Sequence, residues 1–124
     1  MDAQAWLHLD GCASPGPGQV EADVVLRPDS PWFDGHFPGN PIFPGLGLLA
    51  LVEEAVLRGL ELPRAAWAAE RFKRVRFRKA LRPGARLEIR LACTRDGGSL
   101  RAEFQLREGE EDVGRGVLVM VSGA

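Results

Sequence analysis

A single helical segment, with strand-like segments on both sides, most constrains the fold of this 124-residue chain. Apolar residues recur with helical spacing between Leu46 and about Gly59. They are Leu48, Leu49, Val52, Ala55 and Val56, and Leu46 and Leu51 widen the apolar surface. We therefore expect a helix that is buried on most of its sides and needs other elements to cover it.

Strand-like segments account for most of the remaining chain. Alternating apolar residues and intervening turn residues predict strands over residues 5–12, 19–28, 69–81, 85–95, 99–108 and 113–121. Two strands, one helix and four antiparallel strands predict a single α+β domain over residues 1–124, in which an antiparallel sheet is wrapped around one buried central helix. Exposed edges of such a sheet are expected to pair with another chain.

Composition and charge argue against several kinds of partner and site. The formal net charge of −1 gives no overall attraction to nucleic acid or to a membrane surface. We see no signal peptide and no apolar run long enough to span a membrane, so we expect a cytoplasmic protein. Cys12 and Cys93 form neither a disulfide framework nor a metal-ligand spacing, and we expect no metal site.

One histidine lies in a loop rich in glycine and proline, GHFPGNPIFPG, at residues 35–45. This motif resembles the signature of the hotdog-fold β-hydroxyacyl-acyl carrier protein dehydratases, in which Gly-His-Phe-Pro is followed by a further proline and by Pro-Gly at the start of the central helix. Residues 72–91 also resemble the strand, Pro-Gly turn and strand of that family. The resemblance implies a divergent member with a hotdog fold that dimerises, and active sites shared between subunits.

The resemblance also implies the substrate and the site residues. The substrate is a 3-hydroxyacyl chain on the phosphopantetheine of acyl carrier protein, without a further cofactor. His36 is the base that removes the proton next to the thioester carbonyl. The backbone N–H groups of Gly45 and Leu46 stabilise the enolate oxygen. The expected substrate-binding residues are Trp32, Phe37, Phe43, Pro44, Gly45, Leu46 and Ala50.

The proton donor departs from the family pattern. The family's acid lies five residues after the glycine of Pro-Gly, and Ala50 occupies that position here. Glu54 lies four residues later, on the same helix face. Three hypotheses follow: Glu54 is the relocated acid of a dehydratase in fatty-acid or specialised lipid or polyene synthesis; the chain is an incomplete subunit that binds acyl carrier protein and obtains its acid from a related chain in a heterodimer; or the chain is an acyl thioesterase.

A basic segment follows the helix. Between Arg64 and Arg90 there are ten basic and two acidic residues. The segment is either a solvated strand face or a docking surface for an acidic acyl carrier protein. The docking candidates are Arg71, Lys73, Arg74, Arg76, Arg78 and Lys79. No aromatic stacking platform accompanies them, so we expect no nucleic-acid partner. The expected assembly is a homodimer or a higher even oligomer.

Overall fold

A computed structural model describes residues 7–34, 39 and 41–123 of the chain. Its elements are β1 (Gly11–Ala13), β2 (Gln19–Val25), α1 (Gly45–Gly59), β3 (Trp67–Phe77), β4 (Arg86–Asp96), β5 (Ser99–Glu108) and β6 (Glu111–Ser122). A single turn of 3-10 helix, Pro31–Phe33, lies in the loop before α1. This order of two strands, one helix and four strands confirms the predicted α+β class.

The strands form one antiparallel sheet in the order β1-β2-β4-β5-β6-β3. Every second residue of β2, of β5 and of the first half of β4 is buried, as expected for strands with one covered face. These buried residues belong to the same hydrophobic cluster as the buried face of α1. The sheet therefore covers the helix, as the sequence predicts.

The helix α1 is buried along one broad face and partly exposed along the other. Its buried residues are Gly47, Leu48, Leu51, Val52, Ala55, Val56 and Leu57. Leu46, in contrast, is 72% exposed, and Leu49, Ala50, Glu53 and Glu54 are partly exposed. The prediction of a helix buried on most sides therefore holds only for one broad face of α1, and the other face is partly exposed from the first turn to the middle of the helix.

The predicted first strand, residues 5–12, is wrong in its bounds. β1 begins only at Gly11, although Leu7 and Leu9 are buried in the core. The N–H of Asp10 donates to the carbonyl of Asp23 at 2.8 Å, and the Asp10 carboxylate accepts the N–H of Val25 at 2.7 Å. The backbone hydrogen bonds between β1 and β2 end there, because the Asp10 carboxylate accepts an N–H group that a backbone carbonyl would accept in a continued strand. Residues 5 and 6 lie outside the described residues.

The predicted strand 69–81 ends four residues early, at Phe77. The N–H of Arg78 still donates to the carbonyl of Val113 at 2.7 Å, but the chain then turns inward and buries Leu81. The Leu81 carbonyl accepts the N–H of Phe43 at 2.8 Å. The end of this segment thus anchors the loop that precedes α1.

The described residues also bear on membrane insertion and on metal binding. Among them, no helix has the length and apolar character needed to cross a membrane. The same residues contain no group of three or more His, Cys, Asp or Glu side chains placed to hold a metal ion.

Candidate active site

An aromatic cluster packs the loop before α1 against the start of the helix. The ring centroid of Phe43 lies 6.1 Å from that of Trp32 and 5.4 Å from that of Phe33. Phe43 and Trp32 both pack on Gly47, where a Cβ atom would lie 2.6 Å from Phe43 Cε2 and 3.1 Å from Trp32 Cε3. A glycine at position 47 therefore allows both rings to hold the loop close to the helix.

The helix α1 begins with two backbone donors, the N–H groups of Gly45 and Leu46, that no described residue pairs. Pro44 is the N-cap, provides no side-chain cap, and no acidic residue lies in the first turn. The Pro44 carbonyl accepts the N–H groups of Gly47 at 3.0 Å and Leu48 at 3.2 Å. Within the described part of the chain, no acceptor lies on the N–H of Gly45 or Leu46. Both donors stand at the positive end of the helix dipole and suit an oxygen that gains negative charge.

The structure brings most of the predicted substrate-binding residues together at this end of α1. Trp32, Phe43, Pro44, Gly45 and Leu46 surround the helix start. Ala50 lies one turn further along, about 6 Å from Leu46 along the helix axis. His36 and Phe37 lie outside the described residues, so their roles stay predictions.

Glu54 is paired with an arginine of its own chain. One of its carboxylate oxygens lies 2.5 Å from Nη2 of Arg64, in the connection between α1 and β3. The Glu54 side chain is 17% exposed, and that of Arg64 is 59% exposed. The Glu54 side chain is therefore mostly buried and forms an ion pair with Arg64. The sequence offers no signal for this contact, because Arg64 lies beyond the helix end.

Neither of the two thiols of the chain has the lowered pKa of a reactive cysteine. Burial raises the pKa of Cys93 to about 11. Burial also raises the pKa of Cys12, an effect that the Arg58 charge opposes and the Glu54 charge reinforces. A nucleophilic cysteine needs a lowered pKa, so neither thiol fits covalent catalysis.

The predicted docking residues separate into paired and unpaired side chains. Arg78 lies 3.2 Å from the Asp112 carboxylate, and Arg71 lies 3.8 Å from that of Glu70. Lys79 donates to Glu108 and Glu111, at 2.8 and 2.7 Å, and these hydrogen bonds raise its pKa. For Lys73, Arg74 and Arg76, the described residues provide no carboxylate partner.

Two of these basic residues of β3, Arg74 and Arg76, share a groove with two arginines of other strands. The strand register places Arg115 beside Arg76, and Arg101 lies on β5. The groove has a volume of about 910 Å³. Its lining residues are Arg74, Val75, Arg76, Arg101, Glu103, Phe104, Arg115, Gly116 and Val117. Arg101 and Arg115 were missed by sequence reasoning because only the pairing of β3, β6 and β5 brings them to the basic segment.

The chain is similar in sequence to dehydratases. The family model ApeI-like, described as ApeI dehydratase, matches residues 13–117. The 3-hydroxyacyl-acyl-carrier-protein dehydratase FabZ of Chloroflexus aggregans is 35% identical over 99 residues, which cover 74% of this chain and 69% of that protein. FabZ of Symbiobacterium thermophilum is 37% identical over 99 residues, which cover 74% and 70%.

Solved structures share the fold. The dehydratase heterocomplex ApeI:P from Xenorhabdus doucetiae matches with a TM-score of 0.73 and 22% identity, over 92% of this chain and 96% of that chain. The fluoroacetyl-CoA thioesterase FlK matches with a TM-score of 0.71 and 17% identity, over 84% of each chain. These likenesses confirm the hotdog fold and, at such identities, show the fold alone.

Proposed function

The chain belongs to the ApeI-like dehydratase family, and we propose from this premise that it eliminates water from a 3-hydroxyacyl thioester carried by acyl carrier protein. The start of α1 carries the proposal, because the N–H groups of Gly45 and Leu46 have no acceptor among the described residues and directly follow the histidine motif in sequence. The thioesterase hypothesis has less support, since the relatives similar in sequence are dehydratases.

In the proposed reaction, His36 takes the proton from the carbon between the thioester carbonyl and the hydroxyl-bearing carbon. The electron pair of that C–H bond moves toward the thioester oxygen, where the N–H groups of Gly45 and Leu46 stabilise the negative charge. The pair then forms the carbon–carbon double bond as the bond to the hydroxyl breaks. An acid protonates the leaving hydroxyl, and water and an enoyl thioester are the products.

Glu54 is the proposed acid, because Ala50 at the family's acid position cannot donate a proton. Glu54 lies one turn beyond Ala50, about 6 Å along the helix axis. Arg64 holds one oxygen of the Glu54 carboxyl group, so this contact has to open before Glu54 can reach the substrate hydroxyl. Because Arg64 already holds the Glu54 carboxylate, the ion pair also favours a second candidate function. In that case the chain is a subunit that obtains its acid from a related hotdog chain.

Substitution of Glu54 tests the relocated acid. If Glu54 is the acid, Glu54→Gln lowers kcat by about 10²–10⁴-fold, the usual contribution of a general acid. Arg64→Gln keeps or raises activity, because it frees the carboxylate from its partner. The measurement is the rate of enoyl thioester formation, with Glu53→Gln on the neighbouring helix position as the matched control.

Full activity in Glu54→Gln would eliminate Glu54 as the acid. A purified chain without activity that gains activity when a related hotdog chain is added would support the second candidate. In that case the ion pair between Glu54 and Arg64 is a structural link between α1 and the segment that leads to β3.

A homodimer or a higher even oligomer is the proposed assembly. Among the described strands, β3 lies at one edge of the sheet and pairs with β6 alone. An unpaired edge strand is a template for pairing with another chain. The first turn of α1 is also partly exposed to solvent in a single chain, so a second chain could cover it.

Acyl carrier protein is the proposed partner of the groove beside β3. The basic residues that line the groove are Arg74, Arg76, Arg101 and Arg115, and its acidic residue is Glu103. Arg101 lies 3.5 Å from Glu103, so part of this charge is compensated. Complementary charge would steer an acidic carrier protein toward the remaining cations. Lys73 is a further unpaired candidate, whereas Arg71, Arg78 and Lys79 already face carboxylates of their own chain.

Charge reversal in the groove is expected to weaken carrier recognition selectively. Arg76→Glu together with Arg115→Glu should raise KM for a carrier-bound substrate by roughly tenfold or more at low salt, with a smaller effect at high salt. KM for the same acyl chain on a short pantetheine thioester should stay unchanged. Arg86→Glu, on β4, is the control. Equal KM changes for both substrates would contradict docking in this groove.

A further inference from the structure

Phe77 is an exposed aromatic side chain beside the start of α1. It is the last residue of β3 and pairs with Gly114 of β6. Its exposed fraction is 42%, and Leu46 is the other large apolar residue that is exposed among the described residues. Leu46 follows directly after Gly45, the residue on which Phe77 packs.

Two glycines form the slot that holds the Phe77 ring. A Cβ atom on Gly45 would lie 2.7 Å from Phe77 Cε2 and 3.2 Å from Cδ2. A Cβ atom on Gly114 would lie 2.7 Å from the Arg76 carbonyl oxygen and 2.9 Å from Phe77 Cδ1. The ring is thus in contact with the backbone of the first helical residue on one side and of β6 on the other. A side chain at position 45 would require a shift of the ring, and one at position 114 would require a shift of the β3 backbone as well.

Phe72, an aromatic residue on the same strand, packs differently. Its ring lies edge-on to Phe104 at a centroid distance of 6.3 Å and is packed against the core cluster. Phe77 is absent from that cluster and rests on Gly45 and Gly114 instead. Core packing therefore accounts for Phe72 but does not account for Phe77.

We infer that Phe77 is a positioning residue of the thioester site, which fixes Gly45 so that the N–H groups of Gly45 and Leu46 point at the substrate oxygen. This inference rests on the proposed function, because the oxygen is that of the acyl thioester. The first turn has no side-chain cap. Phe43 and Trp32 pack on Gly47 of this turn, and the Phe77 ring provides the contact from outside the helix at Gly45. A donor displaced by about 1 Å can cost a factor of about 10² in rate.

Three variants test this role. Phe77→Leu should lower kcat for dehydration by about tenfold or more with KM changed by less, since the donors act mainly in the transition state. Phe77→Tyr keeps the ring in the slot and should restore most of kcat. Phe72→Leu, which removes an aromatic ring from the same strand, should lower thermal stability but leave kcat within about twofold of the unsubstituted protein.

Hydrogen exchange of the Gly47 and Leu48 amides, measured by NMR, is the second readout. Both amides donate to the Pro44 carbonyl, and they should exchange faster in Phe77→Leu than in Phe72→Leu. Unchanged kcat and unchanged exchange in Phe77→Leu would overturn the inference, and so would equal losses of kcat in both variants. If the unsubstituted chain forms no enoyl product, even with a related hotdog chain present, the proposed function fails. The amide exchange alone then decides whether Phe77 fixes the helix start.

Discussion

His36→Ala is expected to lower kcat for dehydration by about 10²–10⁴-fold, the range that a general base contributes. The proton next to a thioester carbonyl is weakly acidic, so its removal needs a base that is unprotonated near neutral pH, which histidine provides. Among the residues that the motif singles out, His36 alone has this chemistry. The rate of enoyl thioester formation under saturating substrate measures the effect.

The thermal midpoint of His36→Ala should stay close to that of the unsubstituted protein, because the loss concerns chemistry. A variant that keeps more than about a tenth of kcat would show that His36 is not the base. A variant that loses activity and fold together would be replaced by His36→Gln, which keeps a polar side chain of similar size in the loop.

Gly45→Ala is expected to lower both stability and activity. Its Cβ atom would lie 2.7 Å from Phe77 Cε2, so the ring or the helix start has to move. Overpacking of this kind costs about 1–3 kcal/mol. A displaced pair of N–H donors should lower kcat by about 10²-fold, comparable with removing one donor to a developing oxyanion. Thermal unfolding and enoyl formation are measured on the same preparation.

Gly98→Ala is the matched control for this glycine substitution. A Cβ atom there would meet only Ser122 Cβ at 3.9 Å, an ordinary contact. Adding Phe77→Ala to Gly45→Ala removes the clashing ring and should restore part of the lost stability. The N–H groups of Gly45 and Leu46 would still lack the contact with the Phe77 ring, so kcat should stay low. Unsubstituted-like activity in Gly45→Ala would show that close packing at the helix start is not required.

Local patterns predicted the order of the elements. The spacing of apolar residues from Leu46 to Gly59 identified α1 to within one residue, because the helix carries its buried face in its own sequence. The Asp-Gly turn between β4 and β5 was equally local, and Gly97 takes the positive φ of 60° that such a turn uses. The ends of β1 and β3 were not predictable. Asp10 and Leu81 end their strands through contacts with distant segments.

The candidate site was predictable where one motif contains it. Pro44, Gly45 and Leu46 are adjacent in sequence, so the motif placed them correctly at the helix start. Contacts between distant elements gave no sequence signal. Neither the pairing of Glu54 with Arg64 nor the packing of Phe77 on Gly45 follows from composition or periodicity.

The most direct test of the proposed function is the mass of the acyl phosphopantetheine after a 3-hydroxyacyl carrier protein is incubated with the purified chain. The incubation is repeated with a related hotdog chain added. We expect an acyl group that has lost one water while its thioester bond stays intact, and a product whose formation depends on His36. Release of the free thiol without any enoyl product, in both incubations, would show that the chain is not a dehydratase.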